Sequence, residues 1–381
     1  MAGENSAARD TPLVLLAAGG TGGHLFPAEA LADVLTRHGI AVDLATDRRA
    51  ARYAGHFPAR KLHVLPADTV RGRSPLALAK TALALGSGLW QGYRLMRRLR
   101  PSIVVGFGGY PTVPPILAAR LAGVPTLIHE SNAVMGRANA MLGARVTAIA
   151  IGYPDIFRDA PALAAKAHHT GNPVRPAVIA AASPYVPPER EGRFNLLVFG
   201  GSQGARVMSE IVPPGIAHLV ETLDPSLRSR LSIVQQARPE DIEAARATYA
   251  RLGVEAELAP FFTDLPARMA KAHLVIARSG ASTVAELSVI GRPALLVPLP
   301  GAIDQDQLAN ATALATGGGA ALLPQSHFTP ESLAGILARH AAAPEELAAM
   351  AAAAQRMGRA DAAERLAALV LEIARIPRST S

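Results

Sequence analysis

The stretch LVIARSGASTVAELSVIGRPALLVP, Leu274 to Pro298, decides the fold. Its apolar run Leu274–Ala277 predicts a buried parallel strand, Arg278-Ser279-Gly280 a tight turn, Thr283–Ile290 a helix and Ala294–Val297 a second strand. Such a strand-turn-helix-strand unit places a ligand at the carboxyl ends of its strands. The turn offers small residues, backbone N–H groups and a helix N-terminus, all suited to an anion. Glu286 follows closely enough for its carboxylate to accept hydrogen bonds from both hydroxyls of a ribose. The same residues, Thr283-x-x-Glu286, also spell a capping box in which the glutamate bonds back to its own helix start. Local spacing does not choose between the two readings.

Outward from this unit the same pattern recurs. Pro12–Ala18 predicts a strand, Gly19-Gly20-Thr21-Gly22-Gly23-His24 a turn, residues from about Pro27 to His38 a helix, and Ile40–Ala45 another strand. A glycine turn at a helix start lets backbone N–H groups close on a phosphate. A nicotinamide fingerprint starting at Gly20 would need glycine at 25, where Leu25 stands, and no Walker A pattern occurs. His24, at the mouth of this turn, is either a structural hydrogen-bonder or a base able to take a proton near neutral pH. Pro101–Phe107 leads to a second glycine turn at Gly108-Gly109-Tyr110, and Pro125–Ile128 ends in His129-Glu130-Ser131-Asn132. Phe194–Phe199 followed by Gly200-Gly201-Ser202-Gln203-Gly204-Ala205 restarts the architecture. The chain therefore reads as α/β, with two doubly wound, Rossmann-like domains facing each other across a cleft. Residues 1–177 form the first, a proline-rich linker spans 178–193, and 194–381 form the second.

Length supports two domains, since 381 residues exceed what one core usually serves. The absence of cysteine excludes disulfides, thiolate metal sites and a cysteine nucleophile. Residues 1–12 lack the apolar core of a secretory signal, and no run of about 18 apolar residues predicts a membrane span. Residues 1–177 carry a net charge of +10 and residues 178–381 a net of −2, so the first half should meet something anionic. Residues 69–129 hold no acid and eight bases. Within them Pro75–Leu99 predicts a helix that Leu85-Gly86-Ser87-Gly88 weakens or divides, bearing Trp90, the sole tryptophan. An apolar face rimmed by bases suits either a core or a membrane interface. Nucleic acid is a poor partner for this charge, because aromatics are only 4% and none interleaves with the bases as in a recognition motif.

Seven motifs, in order, resemble the MurG family of peptidoglycan N-acetylglucosaminyltransferases: GGTGGH (19–24), GFGGYP (106–111), HESN (129–132), GNPVR (171–175), GGSQGA (200–205), RSGASTVAE (278–286) and Asp304/Gln307/Asn310. The resemblance covers nearly the whole chain. It implies a GT-B fold, with the C-terminal helix returning toward the first domain, and an inverting transfer of GlcNAc from UDP-GlcNAc to the C4 hydroxyl of undecaprenyl-diphosphate-MurNAc-pentapeptide, lipid I, giving lipid II. It further implies a peripheral enzyme on the cytoplasmic face of the cell membrane, serving peptidoglycan synthesis and hence cell shape and division. UDP-GlcNAc, lipid I, an anionic membrane and cell-wall synthesis proteins would be its partners. No cofactor or metal site is implied, and stimulation by a divalent cation stays open.

For that transfer the residues themselves make His24 the first candidate base and Glu130 the second, and the resemblance implies the further contacts. Donor contacts would come from Thr21, Gly22, Gly23, Asn132, Arg175, Ser202, Gln203, Gly204, Phe262, Ala281, Ser282, Thr283, Val284, Ala285, Glu286 and Gln307. Gly19, Gly20, Gly108, Gly109 and Tyr110 would face the acceptor diphosphate, and Lys80, Leu85, Leu89, Trp90 and Arg94 the membrane. The chain departs from the family's usual residues at Ser131 and Asp306, the second placing an acid near the expected sugar site. The UDP-GlcNAc 2-epimerases, isomerases sharing this fold and donor, are the alternative.

Overall fold

The apolar runs set between glycine turns all become parallel strands. The computed structural model describes residues 11–19, 22–48, 57–66, 75–201, 204–302 and 304–377, with backbone alone at 75–82, 84 and 85. They form two units: Met1–Arg175 with Ala360–Ser381, and Pro176–Arg359.

In the first unit the described strands are β1 (Leu13–Ala17), β2 (Ala41–Thr46), β3 (Lys61–Val64), β4 (Ile103–Gly106), β5 (Thr126–Glu130), β6 (Ala148–Ile151) and β7 (Ala167–His169), in the order β3-β2-β1-β4-β5-β6-β7. The chain winds outward from β1 to β3, then returns to pair β4 with the other side of β1. That reversal makes the β1/β4 crevice a topological switch point. Alternate residues of β1 enter different cores: Val14 and Leu16 join one, Leu15 and Ala17 the other. The first core is closed by the helices Gly22–Arg37 and Ala362–Ala374, where Leu366 and Val370 are wholly buried and Arg37 Nη2 donates to Glu364 Oε1 at 3.2 Å.

Two helices differ from the sequence expectation. The first starts at Gly22, so Pro27, expected at its first position, lies inside it. Pro75–Leu99 is one unbroken helix. Two of its three glycines serve close approach: a Cβ on Gly88 would stand 2.1 Å from the Pro66 carbonyl oxygen, and one on Gly92 would stand 3.0 Å from Ala118 Cβ, whereas one on Gly86 would meet nothing within 4 Å. Burial against neighbours outweighs the helix cost of glycine, about 1 kcal/mol each.

The second unit holds β8 (Phe194–Phe199), β9 (Leu231–Gln236), β10 (Glu255–Ala259), β11 (Leu274–Ala277), β12 (Ala294–Leu296) and β13 (Ala320–Leu322), in the order β10-β9-β8-β11-β12-β13. Its switch point is β8/β11. The expected linker is instead part of this unit: Tyr185 Oη donates to the His273 carbonyl at 2.9 Å, and Arg292 Nη1 and Nη2 donate to the Ser183 carbonyl and Oγ at 3.1 and 3.0 Å. The division therefore falls between Arg175 and Pro176. Proline-rich composition signalled an extended chain, and the buried Arg292 guanidinium, needing acceptors, ties that chain down.

Candidate functional site

At the first switch point the turn after β1 and the turn after β4 meet around one imidazole. His24 lies in the first turn of its helix, and its Nδ1 is 3.2 Å from the Gly19 carbonyl oxygen. A carbonyl only accepts, so Nδ1 carries a proton, and Nε2 is the nitrogen that can accept one. Gly108 and Gly109 run beneath the ring at φ +88° and +72°. A Cβ at Gly108 would stand 3.3 Å from Nε2, and one at Gly109 would stand 3.2 Å from Cε1 and Nδ1. The turn is held from below by Thr112, whose hydroxyl donates to the Gly108 carbonyl.

Glu130, at the carboxyl end of β5, is 2% exposed. Its Oε1 accepts from Asn132 N and Nδ2 at 3.0 and 3.1 Å, and its Oε2 from Gly136 N and Asn139 Nδ2 at 2.9 and 2.8 Å. Both oxygens are committed to folding the 131–139 loop, a geometry that favours an anchoring role for Glu130 over the expected one as second candidate base. Through Asn139 Nδ2, 3.5 Å from where a Gly108 Cβ would be, the network abuts the turn under His24. Neighbouring His129 is fully buried; its Nε2 lies 3.1 Å from the Gly171 carbonyl oxygen and its Nδ1 3.1 Å from Ser131 Oγ. The ring therefore donates to the carbonyl and accepts from the hydroxyl, and burial pushes its pKa down to about 4. Asn139 and Gly136 lie too far from Glu130 in sequence to be found by motif; only the loop brings them in.

The second switch point is built alike. A Cβ on Gly200 would stand 2.2 Å from Ala205 N, so the Gly200–Ala205 turn closes onto the start of the helix Arg206–His218. Gly201 and Gly204 take φ of +88° and +70°, and Gln236 accepts from Gly200 N at 3.1 Å. Across the crevice the helix Ala281–Ile290 is N-capped by Gly280. Thr283 is thus the third helical residue rather than the cap, and Thr283-x-x-Glu286 is no capping box. Glu286 sits in the second turn, 5% exposed. The Arg278 guanidinium is buried and donates to the Val297 and Pro298 carbonyls at 3.0 and 2.9 Å and to Gln325 Oε1 at 2.6 Å; burial lowers its pKa. Ser279 Oγ donates to the Gln307 carbonyl at 2.8 Å and Gln307 Oε1 accepts from Leu299 N at 3.0 Å, joining this turn to the helix Asp306–Thr316.

The remaining expected residues distribute as follows. Gly20, Thr21, Ser202 and Gln203 lie outside the described residues. Gly22 and Gly23 begin the His24 helix, and Tyr110 opens the short turn after Gly109. Asn132 belongs to the Glu130 loop, and Arg175 stacks over Phe26, 4.2 Å from its ring centre. Gly204, Ala281, Ser282, Thr283, Val284 and Ala285 flank the second crevice, whereas Phe262 is buried under the Arg268 guanidinium. Of the membrane-facing set, Trp90 is 62% exposed and Arg94 is exposed, but Leu89 packs against a core. Leu89 is one residue round the helix from Trp90, so it turns inward where Trp90 turns out. The side chains of Lys80 and Leu85 lie outside the described set. Among the described residues no helix is long and apolar enough to cross a membrane.

Residues 14–151 match the glycosyltransferase family 28 N-terminal domain and residues 195–366 the family 28 C-terminal domain. The chain is 58% identical over 97% of its length, and 98% of the relative's, to a UDP-N-acetylglucosamine–N-acetylmuramyl-(pentapeptide) pyrophosphoryl-undecaprenol N-acetylglucosamine transferase of Rhodopseudomonas palustris strain BisA53. It is 60% identical to the enzyme of the same name from Bradyrhizobium sp. strain ORS 278, covering 95% of this chain and 98% of that one. The crystal structure of Acinetobacter baumannii MurG matches with a TM-score of 0.76 at 30% identity, covering 95% of this chain and 99% of that one. A UDP-N-acetylglucosamine 2-epimerase structure matches at TM-score 0.67 and 15% identity, covering 98% and 99%, which shows the shared fold alone.

Proposed function

Since the chain belongs to the MurG family of glycosyltransferases, with GT-B architecture, we propose that it moves GlcNAc from UDP-GlcNAc to the C4 hydroxyl of lipid I, with inversion, to form lipid II. The observation that carries the chemistry is the His24 imidazole, held through Nδ1 by the Gly19 carbonyl over the Gly108–Gly109 turn.

The step is a direct displacement. The acceptor hydroxyl oxygen bonds to the anomeric carbon as that carbon's bond to the diphosphate oxygen breaks, and UDP leaves with the electron pair. The hydroxyl proton passes to His24 Nε2, the nitrogen left basic when Nδ1 is bound to a carbonyl. In the second unit the Gly200–Ala205 turn and the helix start behind it stabilise the charge growing on the departing diphosphate. Glu286, in the second turn of the helix Ala281–Ile290, takes the ribose hydroxyls, and Gln307 the sugar. Arg278 acts through others, fixing the ends of β11 and β12 around the turn. Glu130 is likewise a positioning residue. The exposed Trp90 and the bases of its helix would hold the first unit to an anionic membrane surface on the cytoplasmic face.

The test is transfer of labelled GlcNAc from UDP-GlcNAc to a short-chain lipid I analogue, with a no-acceptor control and a search for epimerised nucleotide sugar. Acceptor-dependent disaccharide is expected, and His24→Ala should lower turnover at least ~100-fold. Loss within threefold would remove His24 as the base, and epimerised donor without transfer would refute the reaction.

A further inference from the structure

In the second unit a side chain extends the sheet's hydrogen bonding one rung past its end. The last backbone pairs are Val198 with Gln235 between β8 and β9, and Ala259 with Gln236 between β9 and β10. Beyond them the Gln236 amide takes over: its Oε1 accepts from Gly200 N and its Nε2 donates to the Pro260 carbonyl, each at 3.1 Å. A backbone N–H only donates and a carbonyl only accepts, so the two partners fix which way the amide faces. Turned over, it would set donor against donor and acceptor against acceptor. The side chain is buried, so neither contact would be replaced by water without cost.

The far end of this rung is clamped. Just beyond Pro260, the Phe262 ring lies under the Arg268 guanidinium at 4.3 Å, and Arg268 donates to Glu257 Oε2 at 2.6 Å and to Asp264 Oδ1 at 2.7 Å. Gln236 thus ties the opening residue of the Gly200–Ala205 turn to a segment that is itself held on both sides. Arg238, whose Cγ would stand 3.0 Å from a Cβ on Gly204, is the base beside the turn, but its guanidinium is engaged by Glu240 and Asp241 at 3.1 and 2.9 Å. Backbone N–H groups stabilise a growing charge only when they are fixed before it develops, and a displacement of about 1 Å forfeits much of the effect. We propose that Gln236 is the positioning residue of this turn, holding Gly200 against the Pro260 segment so that the turn stands ready for the diphosphate. The proposal rests on the reading of Gly200–Ala205 as the diphosphate's seat, and adds the side chain that sets where the seat lies.

Binding of UDP and of uridine to the full-length protein is measured by calorimetry for wild type, Gln236→Met and Gln236→Glu, with thermal melting to confirm folding. Gln236→Met keeps an unbranched chain of similar length but makes neither bond. It should weaken UDP roughly tenfold or more, while uridine, which lacks the diphosphate, changes less than about twofold. Gln236→Glu offers Gly200 N an acceptor at any pH, but the Pro260 carbonyl a donor only when protonated. Its deficit in UDP affinity, taken against wild type at the same pH, should shrink from about tenfold near pH 8 to within about threefold near pH 5.5, where a buried carboxyl facing a carbonyl holds its proton. That arm carries the test if Gln236→Met does not fold. Equal weakening of UDP and uridine, or of neither, would overturn the positioning role while the donor site stands, and so would a Gln236→Glu deficit that does not move with pH. Wild type that binds UDP no more tightly than uridine would overturn the diphosphate reading itself.

Discussion

Replacing Glu130 with glutamine separates an anchor from a base. In the native loop each carboxylate oxygen accepts two hydrogen bonds, from Asn132 N and Nδ2 at 3.0 and 3.1 Å and from Gly136 N and Asn139 Nδ2 at 2.9 and 2.8 Å. Whichever way the new amide settles, its NH2 meets two donors, so one pair is lost outright and the other loses its charge assistance. Hydrogen bonds to a charged group contribute ~1.5–3 kcal/mol each, which makes the lost pair worth ~3–6 kcal/mol before the loop relaxes. Taking the lower bound, a domain of this size should melt ~6–12 °C earlier. Calorimetry on Glu130→Gln should show that shift in one of the two transitions, with Asn139→Ala moving the same one by less. Turnover should fall with the loss of structure, while the acid limb of the pH profile keeps its position because His24 remains. The reasoning fails if Glu130→Gln melts within about 2 °C of wild type and still loses turnover ~100-fold or more, the mark of a missing general base.

Two further outcomes follow from the same unit. His129, with its folded pKa at about 4 against 6.5 in the unfolded chain, binds fewer protons folded than unfolded between those values. Stability should therefore be full above pH 6.5 and fall by up to ~3 kcal/mol as pH drops to 4; His129→Gln should flatten this window in denaturant titrations. Gly88→Val should shorten the native lifetime and lower the melting temperature despite the better helix former, because its Cβ would stand 2.1 Å from the Pro66 carbonyl oxygen; an unchanged melt would show that the contact gives way.

Legibility in the sequence followed burial. Strands enclosed on both faces, such as β1 and β11, are unbroken apolar runs between glycines and could be read directly. The edge strands β3 and β7 and the short β13 could not. KLHV and AHH are part-exposed, so neither face imposes a pattern. The helix start at Gly22 was hidden because glycine is a poor helix former and Pro27 imitates a first position. The capping-box reading of Thr283 and Glu286 could be set aside only once Gly280 proved to be the cap, which moved Thr283 three residues inside the helix. The Glu130 network was invisible for another reason: its donors arrive through a loop whose shape the carboxylate itself creates.

The motifs GGTGGH and GFGGYP, far apart in the chain, are two halves of one socket. The first contributes an imidazole and the carbonyl that orients it; the second contributes absence. Gly108 and Gly109 are required twice over, once by positive φ and once because any side chain there would reach within 3.3 Å of the ring. Parallel pairing of β1 with β4 brings the two turns together at the switch point. A base that must keep one nitrogen protonated and the other available needs such rigid surroundings, since rotation of the ring would exchange the two. In the proposed mechanism the glycines serve proton transfer although they offer no group to it, and Gly109→Ala should cost turnover by displacing His24 while leaving its chemistry intact.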